Sequence, residues 1–119
     1  MSLIEIYTDG SSRGNPGPGG YGIVMSYKGN EKEISQGFRK TTNNRMELLA
    51  VIVAIESLKT PKIPVKVYSD SKYVIDAITK GWLDSWIIKR FKGKKNQDLW
   101  MRYHTSSQPF NITFEWVKG

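Results

Sequence analysis

Val65-Lys66-Val67-Tyr68-Ser69-Asp70-Ser71 (residues 65–71) is the stretch whose reading decides how this chain folds. Val65 to Tyr68 are strand formers that run into Asp70, and Ser71 is placed to cap a helix reaching Lys80, with Gly81 as its natural stop. Upstream, Thr41-Thr42-Asn43-Asn44 offers four helix caps, and Met46 to Leu58 is helical by composition and apolar nearly all round. Such a helix is predicted to be buried between a sheet and another helix, and Pro61 and Pro64 end it. Residues 3 to 8 alternate, with Leu3, Glu5 and Tyr7 on one face and Ile4, Ile6 and Thr8 on the other, and read as a strand ending at Asp9-Gly10. A strand, a helix and a second strand close on each other through a right-handed crossover, so the simplest packing sets the Val65 strand beside the first and parallel to it. Asp9 and Asp70 then emerge together at carboxyl ends.

The remaining segments fill in around that pair. Asn15-Pro16-Gly17-Pro18-Gly19-Gly20 is predicted to be an irregular loop, since proline lacks the donor and glycine carries the largest backbone entropy. Tyr21 to Tyr27 and Glu33 to Arg39 read as strands joined at Lys28-Gly29-Asn30, which completes a three-stranded antiparallel meander. Downstream, Trp82 to Arg90 reads as a short helix, Phe91 to Asn96 as a basic loop, Gln97 to His104 as a helix and Asn111 to Val117 as a closing strand. The predicted fold class is α/β: a five-stranded mixed sheet, three antiparallel strands and then two parallel ones, flanked by helices. Residues 1–119 read as a single domain.

Composition narrows the function classes. Hydrophobic residues at 39% and aromatics at 12% supply a packed interior and exclude the low-hydrophobicity signature of disorder. The absence of Cys excludes a disulfide framework, a thiolate metal site and a Cys nucleophile, which leaves oxygen ligands or His104 for any metal. His104, the one histidine, reads as a surface residue or a helix C-terminal dipole partner. Eighteen Lys and Arg against eleven Asp and Glu give a formal charge of +7, which suits a polyanionic partner without demonstrating one. The first residues lack a basic segment before an apolar run, and the longest apolar run, Leu48 to Ile55, is too short to span a bilayer. A cytoplasmic protein without membrane contact is expected, and a monomer.

Neighbouring strands lie about 4.8 Å apart, so Asp9 and Asp70 at the same end of adjacent strands come within a few ångströms of each other. Two such carboxylates repel unless they share a proton or bind a cation, and hard oxygen ligands suit Mg²⁺ or Mn²⁺. Glu47, read as a residue of the first helical turn, can add a third oxygen from a rigid support. Taken singly, Asp9-Gly10 is also a common turn, Asp70-Ser71 a common helix start and Glu47 a common third residue of a capping box. Their shared placement at the end of an α/β sheet favours a metal-binding domain with an anionic substrate.

Longer motifs are more specific. Tyr7-Thr8-Asp9-Gly10-Ser11, then Gly14-Asn15-Pro16-Gly17-Pro18-Gly19-Gly20-Tyr21-Gly22, Thr42-Asn43-Asn44-Arg45-Met46-Glu47-Leu48 and Ser69-Asp70-Ser71-Lys72-Tyr73-Val74 follow in order. With Asn96-Gln97-Asp98-Leu99-Trp100 and Glu115-Trp116-Val117-Lys118-Gly119, the chain closely resembles the type 1 ribonuclease H family from end to end. The resemblance implies a ribonuclease H-like fold. It also implies an endonuclease that hydrolyses the RNA strand of an RNA–DNA hybrid by a two-metal-ion mechanism, leaving 3′-hydroxyl and 5′-phosphate ends. Asp9, Glu47 and Asp70 match three of the family's four carboxylate ligands, with Gly10 among the metal-site residues and two Mg²⁺ or Mn²⁺ ions per site.

The same resemblance assigns Asn15 and Asn43 to the minor groove of the hybrid, where a ribose 2′-hydroxyl is within reach of short polar side chains, and Thr42 and Asn96 to a DNA phosphate. Lys89-Arg90-Phe91-Lys92-Gly93-Lys94-Lys95 carries five cations in seven residues and resembles the family's basic protrusion. Lys92, Lys94 and Lys95, with the flanking Trp82 and Trp86, are therefore candidate duplex contacts. Trp100 and Trp116, each in an apolar periodic stretch, are predicted to be core residues.

In the family the pattern continues past Trp-Val-Lys-Gly with a loop histidine and a fourth carboxylate at the start of a final helix, so the domain is expected to be truncated before that helix. Two other function classes stay open on sequence: a module that binds the hybrid without cutting it, and an integrase-like strand transferase, against which the Asn15 and Asn43 motifs speak.

Overall fold

The computed structural model describes residues 3–119. Its sheet has five strands in the order β3-β2-β1-β4-β5, formed by β1 (Ile4–Ser12), β2 (Gly17–Tyr27), β3 (Asn30–Thr41), β4 (Val65–Ser69) and β5 (Ile112–Trp116). Pairing is antiparallel from β3 to β1 and parallel from β1 through β4 to β5, as the crossover argument requires. The helices are α1 (Asn43–Glu56), α2 (Lys72–Thr79), α3 (Trp82–Ile88) and α4 (Gln97–Ser107).

β1 alternates as its sequence does. Ile4, Ile6 and Thr8 are buried beneath α1, whereas Leu3, Tyr7 and Asp9 are exposed on the other face. The all-round apolar character of α1 is explained by double coverage: it packs on β1 and β2 with one side and on α4 with another, and Leu48, Ala50, Val51, Ile52, Ala54 and Ile55 have no exposed surface. Burying a leucine or isoleucine contributes about 1.5–3 kcal/mol, so this helix is the main adhesive of the domain. Among the described residues no helix is long and apolar enough to cross a membrane.

Three expectations need correction. The stretch 15–20 is not a loop throughout, because β2 starts at Gly17 and β1 continues to Ser12 to pair with Gly19. Tertiary approach overrides propensity here: a Cβ at Gly19 would stand 2.5 Å from the Ser11 carbonyl oxygen, and one at Gly20 would stand 2.7 Å from that of Gln36. These glycines let three strands close up, and the ladder accommodates Pro18 by a register shift between Gly17 and Gly19. α1 begins at Asn43, three residues before Met46, because the Thr42 hydroxyl accepts from the Arg45 N–H and so caps it. Finally, Trp116 is 42% exposed rather than core, since β5 is an edge strand, whereas Trp100 is fully buried as predicted.

Candidate active site

The β1–β4 ladder runs from Ile4 paired with Val65 to Tyr7 paired with Tyr68, and Asp9 and Asp70 stand just past its end. Beyond that point the strands need not hydrogen-bond to each other, which leaves room for side chains to converge. Asp70 follows β4 directly, and its backbone is held on both sides. The Val117 N–H donates to the Ser69 carbonyl at 3.0 Å, the Ser71 N–H donates to Ser69 Oγ at 3.1 Å, and the Trp116 indole N–H donates to the Asp70 carbonyl at 3.0 Å. Trp116 thus positions an acid instead of filling the core, and Lys72 Nζ lies 4.4 Å above its ring. Ser71 caps α2 as expected, accepting from the Val74 N–H at 3.2 Å.

Glu47 arrives from the opposite side of the sheet. It is not in the first turn of α1: with Thr42 as the cap, Arg45 holds the third helical position and Glu47 the fifth, so neither a capping box nor the end of the helix dipole explains it. What delivers it is Gly10, whose missing side chain lets the backbone of α1 rest directly on β1.

Ligand atoms of Asp9, Glu47 and Asp70 all lie within 4.8 Å of one another, with Asp9 exposed, Asp70 half-buried and Glu47 only 5% exposed. Burial pushes the Glu47 carboxyl up to about 8, and the neighbouring carboxylates of Asp70 and Asp9 push the same way, while the nearby Gly10 backbone opposes them. Glu47 Oε1 and Asp70 Oδ1 are buried and have no hydrogen-bond partner. Buried acceptors of this kind are costly unless something cationic or protic meets them. An all-oxygen set with two orphaned buried atoms fits a hard divalent cation.

A second cluster lies beside the first. Asn15, Thr42, Asn43, Asn44, Lys95 and Asn96 line a recess of about 430 Å³. Asn15 Oδ1 accepts from the Asn43 backbone N–H at 3.0 Å and from the Ser12 hydroxyl at 3.2 Å, and Asn43 Oδ1 accepts from the Ser12 N–H at 3.2 Å. Since a backbone N–H can only donate, these bonds fix which end of each amide is oxygen, and both amide NH₂ groups are left to donate outward. The Thr42 hydroxyl, accepting as a cap, keeps its own proton to donate. Helix N-terminus, hydroxyl, amide and lysine together are groups whose chemistry suits an anion.

The basic segment is divided. Lys95 reaches the recess, whereas Trp82, Trp86, Lys92 and Lys94 are not among the residues that line it. Trp82 is 44% exposed with Lys80 Nζ 5.4 Å from its ring, and Lys94 Nζ sits 5.3 Å from the ring of Trp86. Trp86 is partly core, packing edge-on against Trp100 and tilted against Phe91. The segment is also more ordered than a loop. The Phe91 N–H bonds the Trp86 carbonyl at 2.7 Å and the Arg90 N–H bonds that of Ile87 at 3.0 Å, a Schellman closure of α3 with Phe91 buried. His104 lies in the last turn of α4, where its ring can face the negative end of the helix dipole.

Sequence reasoning missed Ser12, Tyr73 and Asp98. Asp98 forms a bidentate pair with Arg45, at 2.8 and 3.0 Å, across 53 residues of chain, and no local pattern signals such a partner.

The RNase H family model matches residues 1–119. Ribonuclease H of Desulforamulus reducens is 54% identical over 124 residues, which cover 100% of this chain and 77% of that protein. Ribonuclease H of Shewanella baltica is 54% identical over 123 residues, covering 100% of this chain and 78% of its own. Among solved structures, LC9-RNase H1, a type 1 RNase H with the type 2 active-site motif, superimposes with a TM-score of 0.86 at 28% identity, covering 100% of this chain and 64% of that one. LC11-RNase H1 in complex with an RNA/DNA hybrid gives 0.74 at 28% identity, covering 97% and 85%.

Proposed function

Since the chain belongs to the ribonuclease H family and is an enzyme of that kind, we propose that it hydrolyses the RNA strand of RNA–DNA hybrids at the Asp9, Glu47 and Asp70 centre, leaving 3′-hydroxyl and 5′-phosphate ends. The observation that carries this reading is the convergence of three carboxylates with two orphaned buried oxygens, Glu47 Oε1 and Asp70 Oδ1. Two divalent ions, Mg²⁺ or Mn²⁺, held by these oxygens would supply a water of lowered pKa and neutralise charge on the departing oxygen. The chain's own part is placement. α1 and the ends of β1 and β4 hold the acids rigidly, and Trp116 and Ser69 fix the backbone around Asp70.

Substrate choice follows from the neighbouring recess. Thr42, Asn96 and Lys95 suit a phosphate of the DNA strand and would add affinity for the duplex. The outward NH₂ groups of Asn15 and Asn43 suit acceptors in the minor groove, where a 2′-hydroxyl distinguishes RNA from DNA. Lys92, Lys94, Trp82 and Trp86 would extend the contact farther along the duplex and add salt-dependent affinity.

The test offers the protein end-labelled RNA–DNA hybrid, RNA duplex and DNA duplex of one sequence in Mg²⁺. Cleavage confined to the RNA of the hybrid, with 3′-hydroxyl products, supports the reading. Equal cutting of DNA duplex would sink it in favour of a strand-transferase-like enzyme, and tight binding without cutting would favour a binding module.

A further inference from the structure

Asn96 breaks a local rule. It occupies the N-cap of α4, a position where asparagine ordinarily adopts an extended backbone and accepts from the helix's own first N–H groups. Here its backbone is left-handed, φ 66° and ψ 29°, and its side chain makes no capping bond. The amide turns instead toward two other helices: Oδ1 accepts from Arg45 Nη1 at 3.2 Å, and Nδ2 donates to the Tyr73 hydroxyl oxygen at 3.1 Å. A forgone cap in a less common backbone region at the rim of a binding recess points to an orientation held for a ligand.

Tyr73 is the hub of that arrangement. Its hydroxyl oxygen accepts from Asn96 and from the indole N–H of the fully buried Trp100, at 2.8 Å, so both lone pairs are engaged. Trp100 is a rigid post, and the ring of Tyr73 packs against it at a centroid separation of 5.6 Å. On the other side Arg45 is clamped by Asp98, which holds its guanidinium in place and spends its charge within the protein. Asn96 is thereby gripped at both ends of its amide, with one N–H left to face the recess.

We propose that Tyr73 is a positioning residue for the nucleic acid: its hydroxyl fixes the Asn96 amide so that the remaining N–H meets a phosphate of the DNA strand. This rests on the reading of the recess given above. Tyr73 touches no reacting atom, so its contribution belongs to binding and runs through Asn96 alone.

The experiment is a double-mutant cycle on the full chain with Tyr73→Phe, Asn96→Ala and the double variant, each checked by circular dichroism to be folded at the assay temperature. Hybrid affinity is read by fluorescence anisotropy without divalent ions, and kcat at saturating hybrid in Mg²⁺. Tyr73→Phe is expected to weaken binding about fivefold with kcat unchanged, and to add nothing once Asn96→Ala is present. Unchanged affinity, a loss that adds in full to that of Asn96→Ala, or a fall in kcat would overturn the proposal. In ligand-free protein, the two side-chain N–H resonances of Asn96 should also collapse toward solvent-like exchange in Tyr73→Phe. An unaltered Asn96 signal would overturn the positioning role whatever the substrate, whereas a parent protein that binds hybrid no better than DNA duplex would overturn the substrate reading.

Discussion

Gly10 and Glu47 are in backbone contact: a Cβ built on Gly10 would stand 2.7 Å from the Glu47 amide nitrogen and 2.6 Å from the Met46 carbonyl carbon. Neither neighbour is a flexible side chain, so an alanine at position 10 would have to push α1 away from β1. Gly10→Ala is expected to lower kcat by roughly a hundredfold through displacement of Glu47, and stability by about 1–3 kcal/mol through overpacking. Thermal melts together with kcat at saturating hybrid check this, and an unimpaired Gly10→Ala enzyme would refute the role given to the contact.

Glu47 makes the metal-free protein less stable as pH rises. Its carboxyl is raised from the usual 4.5 to about 8 in the fold, so between those values the folded state holds a proton that the unfolded state has lost. Stability is therefore highest below about pH 4.5 on this account and falls through pH 8, apart from other titrating groups. Glu47→Gln removes the dependence and should raise the metal-free melting temperature at pH 8 by on the order of 5 °C. Melts across this range in chelator provide the check; a parallel pH profile for the two proteins would count against a raised Glu47.

Cation binding and proton release are linked for the same reason. At pH 7 the Glu47 carboxyl is largely protonated in the free site, and a carboxylate ligand must be ionised. Titration calorimetry with Mg²⁺ in buffers of different ionisation enthalpy should show release of up to about one proton at pH 7 and almost none at pH 9. Binding without proton release at pH 7 would contradict a Glu47 that is protonated in the free site and ionised on the cation.

Arg90 holds a left-handed backbone, φ 53°, at the position after the α3 cap where glycine is favoured. Arg90→Gly is expected to stabilise the fold by about 0.5–1 kcal/mol. If the Arg90 side chain meets a phosphate, the same change lowers the salt slope of hybrid binding by about one. Denaturant melts and affinity against salt concentration separate the two effects; destabilisation would contradict the strain assigned to this residue.

The sheet and its acids were legible because they rest on short-range rules. Strand alternation in residues 3 to 8, the strand-to-helix junction at Asp70 and a right-handed crossover suffice to put Asp9 and Asp70 side by side. Glu47 was read as a first-turn residue favoured by the helix dipole, whereas it stands in the second turn of α1 and is brought to the acids by the close approach at Gly10. Pairings that bridge distant segments left no trace in local pattern, among them Arg45 with Asp98 and Tyr73 with both Asn96 and Trp100. Trp116 was misplaced because alternation shows which residues share a face but not that β5 lies at an edge. The glycines of β2 were misread because their value is the approach of neighbouring strands, which a propensity for turns conceals.

The most direct measurement is single-turnover cleavage of an RNA–DNA hybrid in Mg²⁺ by the parent protein and by Asp70→Asn, with hybrid affinity measured for both. The account predicts that the parent cuts the RNA strand and that Asp70→Asn binds as well but cuts at least about a hundredfold more slowly. Equal cleavage by the two proteins would contradict the assignment of Asp9, Glu47 and Asp70 as the reactive centre.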